Sequence, residues 1–318
     1  MHNRHRLLSR RQFVASTGGL LYAGLLLGRQ EPTFSTDVRV VNVLATVRDK
    51  NGSLVHGLTK DDFTLSEDGR PQNIRYFSQD SDLPLTIGLI VDTSLSQRTV
   101  LDVERGVSFH FLEKVLREDK DQAFIVQFDQ TVLVRQEPTS SRRDLEATLQ
   151  VLEPPDSDEG ISGTLLYDAV RIASNQKMLK QRGRKALIIL SDGVDIGSHI
   201  SLADAIQAAQ RSDTLVYSIL FSDATAYGVP TRGHRIAPEG RATLERLSNE
   251  TGGGFFQVSK KQTIEQTFNA IQEELRTQYS FGYISDKPVV SPGFRTIHLE
   301  AKKKGVIVQA KDRYFAEP

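Results

Sequence analysis

Leu85-Thr86-Ile87-Gly88-Leu89-Ile90-Val91-Asp92-Thr93-Ser94-Leu95-Ser96 is the stretch that decides how this 318-residue chain folds. The run from Leu85 to Val91 is almost wholly apolar, as expected of a short strand buried on both faces. It stops at Asp92, and Ser94 and Ser96 follow at intervals of two. These small oxygen-bearing side chains stand where a buried strand ends and a helix is about to start, which is where open α/β sheets build ligand sites. Oxygen-only donors of this kind suit a hard cation such as Mg²⁺ rather than zinc.

Downstream, strand-like apolar runs at 121–128, 186–191 and 214–221 alternate with helical patterns at 100–116, 142–152, 165–178, 201–212, 240–249 and 264–277. Residues 131–135 read as a short edge strand, and 254–258 form a further short apolar segment. Strands alternating with helices imply a parallel sheet covered on both faces. The expected fold class is therefore α/β, a doubly wound, mostly parallel sheet flanked by helices.

The flanks have a different texture. Val38, Val40, Val43, Ala45 and Val47 read as a strand closed by the turn Asp49-Lys50-Asn51-Gly52, with further strands at 63–67 and 73–77. Beyond Tyr279 the strand pattern returns at 279–284, 295–299 and 306–310, and Lys302-Lys303-Lys304-Gly305 reads as a hairpin turn. Neither group of short strands can hide an apolar face alone. The two flanks are expected to meet in one small β module. The domain plan is an export signal or membrane anchor over 1–33, an N-terminal β segment over 34–82, the α/β domain over 83–278, and a C-terminal β segment over 279–318 packing with the N-terminal one.

Forty basic and forty acidic residues give no net charge, so no global field draws the chain onto nucleic acid, which is not an expected partner. The basic stretch Lys177 to Lys185 reads as a solvated helix end. The absence of cysteine excludes disulfides, thiolate metal sites and a cysteine nucleophile. At the N-terminus, Arg4, His5 and Arg6 lead into Ser9-Arg10-Arg11-Gln12-Phe13-Val14 and then an apolar, glycine-containing segment from Ala15 to Leu27. This is a basic region followed by a short hydrophobic one, the pattern of an export leader. The paired arginines resemble the twin-arginine signal, and an ordinary secretory signal is the other reading. Gly28-Arg29-Gln30 leaves no clear cleavage site. The expected location is the periplasm or cell envelope, either secreted or tethered through an uncleaved anchor.

Two further loops belong with Asp92. Gly160-Ile161-Ser162-Gly163-Thr164 precedes a helix and offers the Thr164 hydroxyl, and the run Ala186 to Ser191 ends at Asp192-Gly193 just as Val91 ends at Asp92. Each piece alone has a structural reading as a helix cap or a turn. Together they resemble the von Willebrand factor type A (vWA) domain with its metal-ion-dependent adhesion site, over about Leu83 to Gln278. The flanks, with Leu58-Thr59-Lys60-Asp61-Asp62-Phe63, resemble bacterial exported proteins of the vWA-related type. The resemblance implies that Asp92, Ser94, Ser96, Thr164 and Asp192 hold a divalent cation, Mg²⁺ or alternatively Mn²⁺ or Ca²⁺. It further implies that a Glu or Asp carboxylate of a partner protein completes the coordination shell. Rim contacts are expected from Tyr227, Arg232, His234 and Arg235 in the segment after 221, and from Asp158 and Glu159 before the Thr164 loop.

A non-enzymatic role is expected. The pairs Asp92-Thr93-Ser94 and Ser191-Asp192-Gly193 resemble those of aspartic proteases but follow strands of an α/β pattern. Neither a Gly-x-Ser-x-Gly elbow nor a phosphate-binding Gly-x-x-x-x-Gly-Lys loop occurs. The histidines have no paired spacing for zinc. The alternative to a binding module is a structural envelope protein whose ion only stabilises the fold; a hydrolase is the more remote reading.

Overall fold

The central strand β5 (Leu85–Asp92) is buried at every residue, which explains why its sequence is a continuous apolar run rather than an alternating one. The computed structural model describes residues 40–79, 82–155, 163–221 and 238–317. The leader expected over 1–33 lies outside them. Around β5 stand β6 (Gln122–Phe128), β7 (Val132–Thr139), β8 (Arg184–Ser191), β9 (Leu215–Leu220) and β10 (Phe255–Gln257). The sheet order is β10-β9-β8-β5-β6-β7, parallel throughout except for β7, which runs antiparallel along β6.

Among the described residues, six helices cover this sheet: α1 (Leu101–Val115), α2 (Arg142–Gln150), α3 (Leu166–Ile172), α4 (Leu202–Arg211), α5 (Pro238–Thr251) and α6 (Ile264–Thr277). The period-2 alternation of each strand divides the core in two. Ile87, Leu89, Ile125 and Ile188 pack against α1, α2 and α6, where Phe111 stacks on Phe268 at 4.6 Å. Ile90, Phe124, Val126 and Ile189 point the other way, against α3, α4 and α5. A mostly parallel sheet with helices on both faces is the expected doubly wound class.

The flanking strands are β1 (Val40–Asp49), β2 (Phe63–Glu67), β3 (Arg70–Pro71), β4 (Ile74–Ser78), β11 (Tyr279–Ile284), β12 (Gly293–Ala301), β13 (Val306–Ala310) and β14 (Arg313–Ala316). They form two four-stranded antiparallel sheets, β13-β1-β11-β4 and β14-β12-β2-β3, each mixing N-terminal and C-terminal strands. One core built from Val43, Phe63, Leu65, Phe281, Tyr283 and Ile297 lies between them. Within it, Phe63 meets Phe281 edge-on at 4.8 Å. Each sheet supplies the apolar layer that the other lacks.

Three local expectations change. Lys302 to Gly305 is not a hairpin turn, because β12 pairs with β2 and β14 whereas β13 pairs with β1 in the other sheet. The chain crosses between layers there. The helix expected to reach residue 178 is α-helical only to Ile172 and continues as a π-helical turn, Ala173–Lys177, and a 3-10 turn, Met178–Lys180. Ser174 and Asn175 are poor helix formers that compete for backbone hydrogen bonds. The stretch from Lys177 to Lys185 is not simply solvated either. Arg184 is buried and donates to the Leu275 carbonyl, and Lys177 pairs with Glu137.

Candidate functional site

The chain leaves β5 toward β6 on one side, while β8 lies on the other, so the loops after β5 and β8 diverge and open a crevice at the carboxyl edge of the sheet. Asp92 is the last residue of β5, and Asp192 immediately follows β8. The two strand ends are joined by a hydrogen bond in which the Ser191 hydroxyl donates to Asp92 Oδ2 at 2.5 Å. Asp92 Oδ1 accepts the Ser94 amide at 2.9 Å, tightening the turn that follows.

Ser94 and Ser96 face each other, Oγ to Oγ, at 3.0 Å. Ser94 occupies the N-cap of the 3-10 turn Leu95–Gln97, yet its hydroxyl makes no capping bond. The capping role that this serine could have filled is therefore not the one it performs. Thr164 does not cap α3 either, since Leu165 holds that position. It forms an isolated antiparallel bridge with Ile196, amide to carbonyl at 2.9 Å in both directions, which ties the Thr164 loop to the loop after Asp192. Leu165 donates to the Asp129 carbonyl at 2.9 Å, anchoring the same loop to the end of β6.

The turn reading does hold for one oxygen of Asp192, whose Oδ1 accepts the Val194 amide at 3.0 Å. Gly193 follows at φ +79°, and a Cβ there would lie 2.2 Å from the Gly240 carbonyl oxygen. A Cβ on Gly240 would in turn lie 2.3 Å from the Asp192 carbonyl oxygen. Only two glycines allow the Asp192 loop to sit backbone to backbone on the first turn of α5.

Among the described residues, the charges bearing on the crevice acids are negative. Asp92 is fully buried, and among the described residues no ion pair reaches it. Burial pushes its carboxyl up to about 7, the nearby charge of Asp192 pushes the same way, and the hydrogen bonds from Ser191 and Ser94 oppose the rise. A third acid was missed by sequence reasoning. Glu104, in the first turn of α1, is buried, and among the described residues neither carboxylate oxygen is hydrogen-bonded. Burial raises its pKa well above the usual carboxylate range, and Asp92 and Asp192 add to the rise. The signal was present in the helical spacing, because Glu104 lies on the stripe of Leu101, Ser108, Phe111, Leu112 and Val115 that α1 buries.

A buried carboxylate with hydroxyls beside it and no basic counter-group has the donor chemistry of a hard-cation site. Among the described residues, no three His, Asp or Glu side chains cluster closely enough to hold an ion by themselves. Hydroxyls and water would have to complete the shell. His199 is committed elsewhere, its exposed ring pairing through Nδ1 with Asp168 Oδ2 at 2.8 Å. Tyr227, Arg232, His234, Arg235, Asp158 and Glu159 lie outside the described residues.

No family model matches the sequence, and no curated protein matches it. Solved structures do. A structure of proximal thread matrix protein 1 from the mussel byssus, with a zinc-occupied MIDAS motif, is 14% identical with a TM-score of 0.51, covering 67% of this chain and 50% of that one. Another structure of the same mussel protein gives a TM-score of 0.50 at 14% identity, covering 66% of this chain and 51% of that one. The conserved hypothetical protein BatB from Bacteroides thetaiotaomicron is 17% identical with a TM-score of 0.47, covering 60% of this chain and 97% of that one. This chain thus spans about half the length of the mussel protein. At these identities the likeness is one of fold. The protein has a vWA-like fold, an α/β domain with a mostly parallel sheet between helices.

Proposed function

We propose that this is an exported protein-binding module in which a divalent cation, held by Asp92, Ser94, Ser96, Thr164 and Asp192, receives a Glu or Asp carboxylate from a partner protein. The observation that carries the reading is the buried Asp92 carboxylate, which among the described residues has hydroxyl and amide partners but no basic one. An isolated buried charge is costly, and a cation is the group that would relieve it. Neutral hydroxyl and water ligands leave such an ion enough positive character to take one more carboxylate. The zinc-occupied site of the mussel protein lends support to a divalent ion in this fold without fixing which ion serves here. Mg²⁺ is the first choice for an all-oxygen shell, with Mn²⁺ and Ca²⁺ as the alternatives.

In this reading the ion serves recognition rather than turnover, and partner choice belongs to the rim segments that follow residue 221 and precede Thr164. The test is a capture experiment from envelope extract with and without EDTA, repeated with Thr164→Ala. A partner lost under both conditions supports the bridge. A partner retained under both, in a protein that divalent ions nonetheless stabilise against heat, assigns the ion to the fold alone.

A further inference from the structure

Glu104 is 1% exposed, and among the described residues neither of its carboxylate oxygens has a hydrogen-bond partner. Native proteins seldom leave a buried acid in that state, since an unpaired buried polar group costs stability and its carboxylate form costs more. Asp121, equally buried in the same domain, shows the usual solution. Its oxygens take up the Arg117 guanidinium and the Arg117 and Leu85 amides. Glu104 stands instead in the first turn of α1, the helix that follows the loop of Ser94 and Ser96, where the charges of Asp92 and Asp192 bear on it. A fold optimised for stability alone would not leave a buried acid perturbed by two others and, among the described residues, without a basic partner.

We propose that Glu104 is an outer-sphere carboxylate of the cation site, accepting hydrogen bonds from ion-bound water and so tightening the grip on a divalent ion. The inference rests on reading the Asp92–Asp192 crevice as a cation site. Among the described residues Glu104 does not join Asp92 and Asp192 in a cluster of three acids able to hold an ion, so its role is assigned to the outer sphere. Water on this face of α1 would find a second partner one turn further on, where the Ser108 hydroxyl is also buried and unpaired. Groups in this position orient the ligands and offset the charge of a metal, and their loss typically weakens affinity by about 10–100-fold.

The experiment is calorimetric titration of the chelated protein with MnCl₂, comparing the parent with E104Q, E104L and D92A, each checked for native circular dichroism. E104Q should bind Mn²⁺ at least about tenfold more weakly. E104L should also bind more weakly, while its ion-free form melts higher than the parent because the unpaired acid is gone. Mn²⁺ affinity within twofold of the parent in E104Q, or in E104L should E104Q fail to fold, overturns the role of Glu104 and leaves the cation site standing. A parent that gives neither heat nor a melting shift with Mn²⁺, like D92A, overturns the site and the role together.

Discussion

Glu67 in the β module and Glu104 in the α/β domain are the same residue type with the same 1% exposure, and their surroundings could hardly differ more. Glu67 accepts from Tyr283 at 2.7 Å, Tyr314 at 2.9 Å, Ser285 at 2.6 Å and the Arg295 guanidinium at 2.9 Å. Glu104 has none of this. The first is a finished structural element, its charge neutralised and its lone pairs filled. The second, raised by burial and by the charges of Asp92 and Asp192, is an acid left without a partner among the described residues. On the proposed reading, that contrast separates the part of the molecule that holds itself together from the part that receives an ion.

The largest effect should come from breaking the finished network. Glu67→Ala leaves the buried Arg295 without its counter-charge and should cost about 3–5 kcal/mol in urea denaturation. A loss below about 1 kcal/mol would show that the two glutamates are less different than their partners indicate. Next comes the ion. If the crevice binds Mn²⁺, a concentration a hundredfold above Kd should add about 2.7 kcal/mol to stability, and Asp92→Ala should erase the gain. An unchanged melting temperature across a saturating range would remove the basis of the comparison.

Third, the two regions should titrate in different pH ranges, one near neutrality and one in strong base. Asp92 is raised to about 7 in the folded state, against about 3.9 for an aspartate in an unfolded chain. The folded protein therefore holds this proton more tightly. Its contribution is complete below about pH 4 and is lost as pH rises through 7, by up to about 1.4 kcal/mol per pH unit. Chelated protein should accordingly melt lower at pH 7.5 than at pH 5.5, and Asp92→Asn should flatten the trend. In the β module, burial and the hydrogen bond to Glu67 raise Tyr314 to about 12. Its contribution is present below about pH 10 and is lost only as pH climbs through 12. The smallest effect belongs to a site in neither cluster. Ser141 caps α2 by accepting the Asp144 amide at 3.2 Å, and Ser141→Ala should cost about 1 kcal/mol with Mn²⁺ affinity untouched, measured by melting and titration together.

Much of the α/β domain was legible because its signals are local. The unbroken apolar run before Asp92 and the similar one before Asp192 read as strands covered on both faces, and their ends mark the crevice. The sequence leaves the capping role of Ser94 open, since a serine before a helical turn has the same sequence whether or not its hydroxyl bonds to the turn. The short strands β3 and β14 were illegible, being too brief to show a period. The sheet change at Lys302 to Gly305 was misread because a polar, glycine-ended turn looks the same whether it reverses the chain or carries it to another layer.

By itself, then, the amino-acid order determined the alternation of strands and helices and the placing of Asp92 and Asp192 at strand ends, because periods of 2 and 3.6 and the stop of an apolar run are properties of neighbouring residues. Tertiary structure alone decided which sheet each flanking strand would join and which buried acids would find partners. Those outcomes depend on groups far apart in the chain. Arg295 reaches Glu67 across more than two hundred residues, whereas among the described residues nothing basic pairs with Glu104.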